Sequence, residues 1–235
     1  MSIVIAGATG AIGRELVIKC CSDASISRVV VLSRKEIAAT EWPTVFPSID
    51  VDQAKQKLSS VSVDWEKLTL DPTGAQWKAV FGDFQWAAMC MGTTAKDAGS
   101  AEKFRRCDLE YVSAFAAAVK KFSPGLTHFS QVSSSGACSS SWFLYLKTKG
   151  QADDATIACK FPRTSIWRPG LLGRKEKARS NETIFAWFTT AIPVEIVAEA
   201  ILRDFNLNAA TPGAGQVSYI SNGEIYAMCK PHKAS

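Results

Sequence analysis

The chain has 235 residues, 47% of them hydrophobic and 21% charged, with a formal net charge of +5. These values exclude a disordered, collagen-like or low-complexity chain, and no apolar run reaches the roughly 20 residues of a membrane span. The positive charge is too dispersed for a dedicated nucleic-acid binder, although it favours an anionic ligand wherever the cations converge.

The chain opens in a short apolar strand, Ser2 to Ala6, and Gly7-Ala8-Thr9-Gly10-Ala11-Ile12-Gly13 follows at once. Residues Arg14 to Cys21 then read as a helix, with apolar side chains at 16, 17, 20 and 21. A second apolar strand, Arg28 to Ser33, closes a βαβ unit. The three glycines have separate tasks. Gly7 permits the tight turn out of the strand. Gly10 lets backbone approach a pyrophosphate. Gly13 lets the helix lie close to the sheet. Exposed N–H groups and the helix dipole then favour phosphate charge. Placed between a strand and a helix, the G-x-x-G-x-x-G spacing reads as a dinucleotide-binding turn.

The end of the second strand selects the cofactor. An acid there would accept from a ribose 2′-hydroxyl, but this chain has Ser33-Arg34-Lys35. Two cations and a hydroxyl suit a 2′-phosphate, so NADP(H) is expected rather than NAD.

A loop with Pro43 and Pro47 leads to a helix near Ile49 to Leu58, then to a short strand from Val61 to Asp64. Asp64 and Trp65 are minor candidates for a place beside an adenine. Residues 75–81 are helical, and Trp86 to Met91 is a fourth strand. The small-residue turn Gly92-Thr93-Thr94 after it leaves room for a cofactor's ribose and phosphates. Ala101 to Phe122 is a long amphipathic helix, with Phe104, Leu109, Val112, Phe115, Ala116 and Val119 facing inward. Pro124-Gly125 ends it. Thr127 to Val132 is a fifth strand, Phe143 to Ala158 a helix, and Thr164 to Trp167 a sixth strand. Strands alternate with helices, and neither an internal repeat nor a linker interrupts them. The expectation is one α/β domain over residues 1–235. It would be a Rossmann-type doubly wound parallel sheet, with residues from about 173 to 235 forming a small substrate lid.

Ser133-Ser134-Ser135-Gly136 follows the fifth strand, and Tyr145 and Lys149 stand further on at i and i+4 of a helix. That spacing puts both on one helix face. A nearby ammonium stabilises a phenolate, so a tyrosine can give or take a proton at a carbonyl or alcohol. A serine hydroxyl can polarise the same oxygen. Spacing alone does not separate the three serines. Arg168-Pro169-Gly170 ends the sixth strand with a stiff residue and one that allows close approach to the nicotinamide side. Arg174, Lys175, Lys177 and Arg179 form a basic cluster suited to a phosphate, an acidic substrate, a partner or solvent.

The seven cysteines are Cys20, Cys21, Cys90, Cys107, Cys138, Cys159 and Cys229, an odd number with no C-x-x-C pair. With no signal peptide evident, they read as free thiols in a reducing compartment, and a cytoplasmic location is expected, with nuclear access left open. His128 and His232 lack ligand spacing, so no metal is expected.

Four stretches together resemble the atypical branch of the short-chain dehydrogenase/reductase superfamily. They are Gly7 to Gly13; Met91-Gly92-Thr93-Thr94 with Ala98-Gly99 and Asp108 to Val112; Ser133 to Gly136 through Phe143 to Gly150; and Arg168 to Leu172. The resemblance covers most of residues 1 to about 180 and weakens beyond. It implies a Rossmann fold that binds NADPH. It also implies cofactor contacts from Thr9, Gly10, Ala11, Ile12, Arg34 and Lys35, with Gly7, Gly13, Met91, Gly92, Arg168, Pro169 and Gly170 lining the same cleft. Tyr145 would be the catalytic acid, Lys149 a cofactor ligand that tunes it, and Ser134 the catalytic serine. The expected activity is NADPH-dependent hydride transfer to or from the carbonyl or alcohol of a small-molecule substrate. The alternative is an NADPH-binding regulator with little turnover that engages protein partners, such as nuclear-transport receptors, according to cofactor state.

Overall fold

A computed structural model of the protein describes residues 1–173, 191–208 and 215–230. Strand β1 (Ser2–Ala6) is buried along its whole length. It lies between β2 (Arg28–Ser33) and β4 (Trp86–Met89), with Ile3 paired to Val29 on one side and to Trp86 on the other. Strands β3 (Leu58–Ser62), β5 (His128–Val132), β6 (Arg163–Arg168) and β7 (Gln216–Ser221) extend the sheet. The order is β3-β2-β1-β4-β5-β6-β7, and every pairing is parallel. This is the doubly wound arrangement that the alternating pattern predicts. The chain direction along the sheet reverses between β1 and β4, and a crevice opens beyond their C-terminal ends.

Helices cover both faces, which is why the central strands are continuous apolar runs rather than alternating ones. Helices α1 (Ala11–Ser22) and α6 (Val194–Leu207) pack on one face. There Ile3 and Ile5 meet Leu16, Val17, Ile201 and Phe205 in one cluster, and Trp86 stacks on Phe205 at 5.0 Å. On the other face Val4 and Ala6 join Phe81, Phe115 and Val119. Phe115 and Val119 belong to α4, which runs as Ala101–Arg105, a π turn at Arg106–Glu110, and Tyr111–Phe122. Among the described residues, no helix is long and apolar enough to cross a membrane.

Several boundaries differ from the sequence expectation. The helix expected over Ile49 to Leu58 is α2 (Val51–Lys57), capped by Asp50, whose carboxylate accepts from the Asp52 and Gln53 N–H groups. Strand β3 starts three residues before the expected Val61, because Leu58 to Ser62 pair in register with Val29 to Ser33. Asp64 is not in a strand at all. Its side chain caps α3 (Trp65–Leu70), accepting from Glu66 and Lys67 N–H. The long helix from Ala101 is interrupted by its π turn. Past β6, where the sequence pattern announces no further element, the described residues supply α6, β7 and α7 (Asn222–Cys229).

One buried polar cluster ties α6 to the sheet. Asp204 on α6 accepts from Arg163 Nη2 at 3.1 Å and from the Ser165 hydroxyl, and lies 3.3 Å from His128 Nε2. Burial alone would raise its carboxyl, but His128, Ser165 and Arg163 hold it below the usual carboxylate range. His128 sits edge-on to Phe205 at 4.7 Å, and burial lowers its pKa despite the nearby carboxylate. Geometry agrees with a neutral ring. Because Ser165 donates to Asp204, His128 Nε2 is the donor to Ser165 Oγ at 2.8 Å, and the buried Nδ1 has no partner. A proton on Nδ1 would be left without an acceptor. The folded histidine thus binds its proton more weakly than the unfolded one, so the unfolded chain gains protons first as pH falls through about 6.5. Stability should therefore decline as pH is lowered from 7 to 5. Urea denaturation at each pH would show that slope, and His128→Asn should flatten it. An unchanged slope in the variant would place the dependence elsewhere.

Candidate active site

Three backbones meet at the C-terminal ends of β1 and β4. Gly7 turns the chain at φ +76°, and a Cβ there would lie 2.4 Å from Met91 N and 2.6 Å from Cys90 C. Gly10 N donates to Gly7 O at 3.0 Å. A Cβ on Gly13 would sit 2.2 Å from Gly7 O. No side chain caps α1, whose N-cap is Gly10, so its positive end faces the crevice through backbone N–H groups. Thr9 is exposed beside it. The Ile12 side chain belongs to the apolar core, which leaves only its N–H to a ligand. Arg14, one residue past Gly13, has a buried Nε with no hydrogen-bond partner. A cradle lined by glycines, an uncapped helix start and an orphaned guanidinium nitrogen fit the phosphates of a dinucleotide.

Arg34 and Lys35 are exposed at the end of β2. Asp64 is occupied as a helix cap, and Trp65 is buried against Tyr111 at 5.7 Å.

The second half of the site is carried by α5 (Leu144–Ala158). Tyr145 is 40% exposed, and its ring stacks on Phe104 with centroids 5.7 Å apart. One turn on, Lys149 is only 3% exposed. Its ammonium donates to Val132 O at 3.2 Å and pairs with Asp108 Oδ1 at 3.5 Å. Asp108 Oδ2 also accepts from Thr93 N–H at 2.9 Å. Gly92 leaves the space between them, since a Cβ there would lie 3.5 Å from Asp108 Oδ1 and 3.9 Å from Lys149 Nζ. The β4 exit, the π turn and α5 therefore converge on one ammonium.

The three serines are separated by their surroundings. Ser133 is buried, and its hydroxyl donates to Asp153 Oδ2 at 3.0 Å. Ser135 is exposed, with its N–H donating to Pro169 O at 2.9 Å. Ser134 is half-buried and makes only a long 3.4 Å contact to the next carbonyl. Asp153 also accepts from Gln131 at 2.8 Å and from Arg168 Nη2 at 2.9 Å. Burial raises its carboxyl, and the bonds from Ser133 and Arg168 only partly offset this. Arg168 lies 4.1 Å above the Tyr219 ring, so its head group is already held by Asp153 and Tyr219. Pro169 is buried, and Gly170 N–H donates to Asn222 Oδ1 at 3.0 Å. The basic cluster from Arg174 to Arg179 lies outside the described residues.

Four further residues beside these candidates are given no role by the sequence reading. Asp108 opens one of the family-like stretches, and Asp153 leaves a trace as an acid on the helix stripe of Lys149. Asp108 lies four residues from Phe104 and from Val112, and Asp153 four residues from Lys149. Phe104 reads as ordinary core, and nothing local marks Asn222.

No protein-family model matches the chain. It is 30% identical to Protein HTATIP2 of Rattus norvegicus over 97% of this chain and 89% of the relative. It is 32% identical to the mitochondrial protein FMP52-1 of Scheffersomyces stipitis over 76% of this chain and 71% of that one. Among solved structures, a short-chain type dehydrogenase/reductase from Mycobacterium ulcerans superposes with a TM-score of 0.65 at 16% identity, covering 96% of this chain and 90% of that one. UDP-glucuronic acid 4-epimerase from Bacillus cereus, in complex with NAD, gives 0.64 at 13% identity, covering 94% and 77%. The human epimerase family protein SDR39U1 with NADPH gives 0.61 at 12% identity, covering 94% and 73%. These structures share the NAD(P)-binding fold.

The fungal names overturn the expected cytoplasmic location. The relatives from Scheffersomyces stipitis, Debaryomyces hansenii and Candida albicans are all named mitochondrial. Free cysteines call only for a reducing compartment, and that does not distinguish cytosol from mitochondrial interior.

The glycine cradle yields a direct test. Gly13→Ala must push helix and turn apart, at a cost of about 1–3 kcal/mol by overpacking. Urea denaturation should show that loss, and titration by nicotinamide fluorescence should show at least tenfold weaker dinucleotide binding. Wild-type affinity in the variant would argue against a phosphate seat at this turn.

Proposed function

The chain belongs to the Tat-interactive oxidoreductase (HTATIP2) family of atypical short-chain dehydrogenases/reductases, and we propose that it is an NADPH-dependent oxidoreductase acting on the carbonyl or alcohol group of a small molecule. The observation that supports this reading is Lys149, one turn from Tyr145 on α5, with its ammonium 3.2 Å from Val132 O and near Gly92 at the β4 exit, which the glycine turn after β1 also crosses. When bound, the nicotinamide would supply or accept a hydride at the substrate carbon.

The chain's own residues handle the proton and the cofactor's charge. In reduction, the Tyr145 hydroxyl gives its proton to the substrate oxygen as the carbonyl becomes an alcohol. In oxidation it takes that proton back. Stacking on Phe104 fixes the ring while leaving it partly exposed. The Ser134 hydroxyl donates to the same oxygen and stabilises its growing negative charge. Ser133 suits this role less well, because its hydroxyl is committed to Asp153. Lys149 stabilises the phenolate left on Tyr145 and has a donor to spare for a ribose. An ammonium carries three N–H groups, and Val132 and Asp108 take two. Arg34 and Lys35 bind the 2′-phosphate that distinguishes NADPH from NADH, and no acid stands between them and Ser33.

Two measurements test this reading separately. Tyr145→Phe should lower kcat by about two to four orders of magnitude, the usual share of a general acid, and leave NADPH affinity within about twofold. Turnover that survives the substitution would remove Tyr145 from the chemistry. Replacing both Arg34 and Lys35 with alanine should weaken NADPH binding by about tenfold or more, as expected for lost charge-assisted bonds, and leave NADH binding unchanged. Equal losses for both cofactors would assign the cations to something other than the 2′-phosphate.

A further inference from the structure

The proposed mechanism does not use Asp108, yet this acid is 1% exposed and belongs to the π turn of α4. A π turn carries an extra residue in its ring and recurs at functional positions in helices. Here one carboxylate bridges three elements. Its Oδ2 takes the Thr93 N–H after β4 at 2.9 Å, and its Oδ1 faces Lys149 on α5 at 3.5 Å. A buried carboxylate is not needed to terminate or cap this helix, because α4 continues through it. Its charge is matched by Lys149.

The other groups around Lys149 do not replace that match. On α5, Asp153 lies one turn further along, and its carboxylate is already bonded to Arg168 of β6 at 2.9 Å. On the π turn, Cys107 also senses Lys149, but burial pushes its thiol up to about 11 and keeps it neutral. The Tyr145 ring itself rests on Phe104, which carries no charge. Among the described residues, the field at Tyr145 includes an ammonium one helical turn away and the carboxylate facing that ammonium.

We infer that Asp108 is a positioning counter-ion: it holds Lys149 toward the β4 exit and cancels part of the ammonium's field at Tyr145, favouring the phenol over the phenolate. This inference rests on the reading of Tyr145 as the proton donor. A protonated hydroxyl is the form that reduces a carbonyl, so the pair biases the site toward reduction over oxidation. Asp108 acts through Lys149 and touches no reacting atom.

The test needs no substrate. The chain has four tyrosines, few enough to follow by ¹³C labelling at Cζ, and Tyr145→Phe identifies the signal. Tyr111, held by Glu66 and pushed up to about 12, marks the alkaline end. Asp108→Asn should lower the Tyr145 titration midpoint by about one pH unit, the effect of removing a nearby negative charge. Asp108→Glu, which keeps the charge, should stay within a few tenths of wild type. An unchanged or raised midpoint in D108N would overturn the inference. The double variant D108L/K149M replaces the buried pair with apolar groups and leaves neither charge unpaired. Its midpoint should lie above that of D108N, which keeps the ammonium alone, and equal midpoints would also overturn the inference. With a substrate in hand, the alkaline limb of kcat/KM for reduction should move down by the same amount in D108N. Absence of turnover in wild type would refute the oxidoreductase reading and leave the midpoint comparison standing, so the two failures are distinguishable.

Discussion

The structure depends on one close passage of backbone. At Gly7 the chain leaves β1 and crosses the exit of β4 at a distance where any Cβ would overlap Met91 N. At Gly13 the first turn of α1 rests on the carbonyl of that same Gly7. A side chain at either point would separate β1, β4 and α1, which are the three elements that define the crevice. The positive φ of Gly7 adds a second constraint that few other residues satisfy. The closeness also aims the uncapped start of α1 at the place where strand order reverses. An anion-binding helix end and a topological switch point thereby coincide.

The rest of the proposed site hangs on α5, where Tyr145, Lys149 and Asp153 recur every four residues along one stripe. The stripe grades from half-exposed tyrosine to buried lysine to buried carboxylate. Burying charge is tolerable only where partners meet it. Each charge here has one from another element. Asp108 on the π turn meets Lys149, and Arg168 at the end of β6 meets Asp153. Ser133 and Gln131, both on or just after β5, also bond to Asp153. These bonds lock the loop after β5 against α5, where Gly150 lets Cys138 and Ser139 pack directly on the helix backbone.

The described residues of the C-terminal stretch build sheet and core. Strand β7 pairs with β6 along its full length, and α6 supplies Phe205 to the stack on Trp86. Asn222, at the start of α7, receives the Gly170 N–H. The exit of β6 is thus braced by residues far along the chain.

The βαβ unit, the glycine turn and the Tyr145–Lys149 pair could all be read from the sequence, because each depends on local spacing: strand, turn and helix in succession, or i and i+4 on one helix. The same locality explains the failures. The start of β3 was misplaced because its register is set by pairing with β2, and Asp64 was misread because a cap depends on where the next helix begins. Ser133 is set apart from its neighbours by Asp153, which arrives from a different element. Asp108 was legible only as part of a family-like stretch and Asn222 not at all, since a π turn and a C-terminal helix bring them to Lys149 and Gly170. The sequence by itself determined the fold class and the residue types of the site, since periodicity and glycine spacing act over a few residues. Tertiary structure alone decided which serine hydroxyl meets Asp153 and which charge faces which, because desolvation and pairing arise only when distant segments close around the same point.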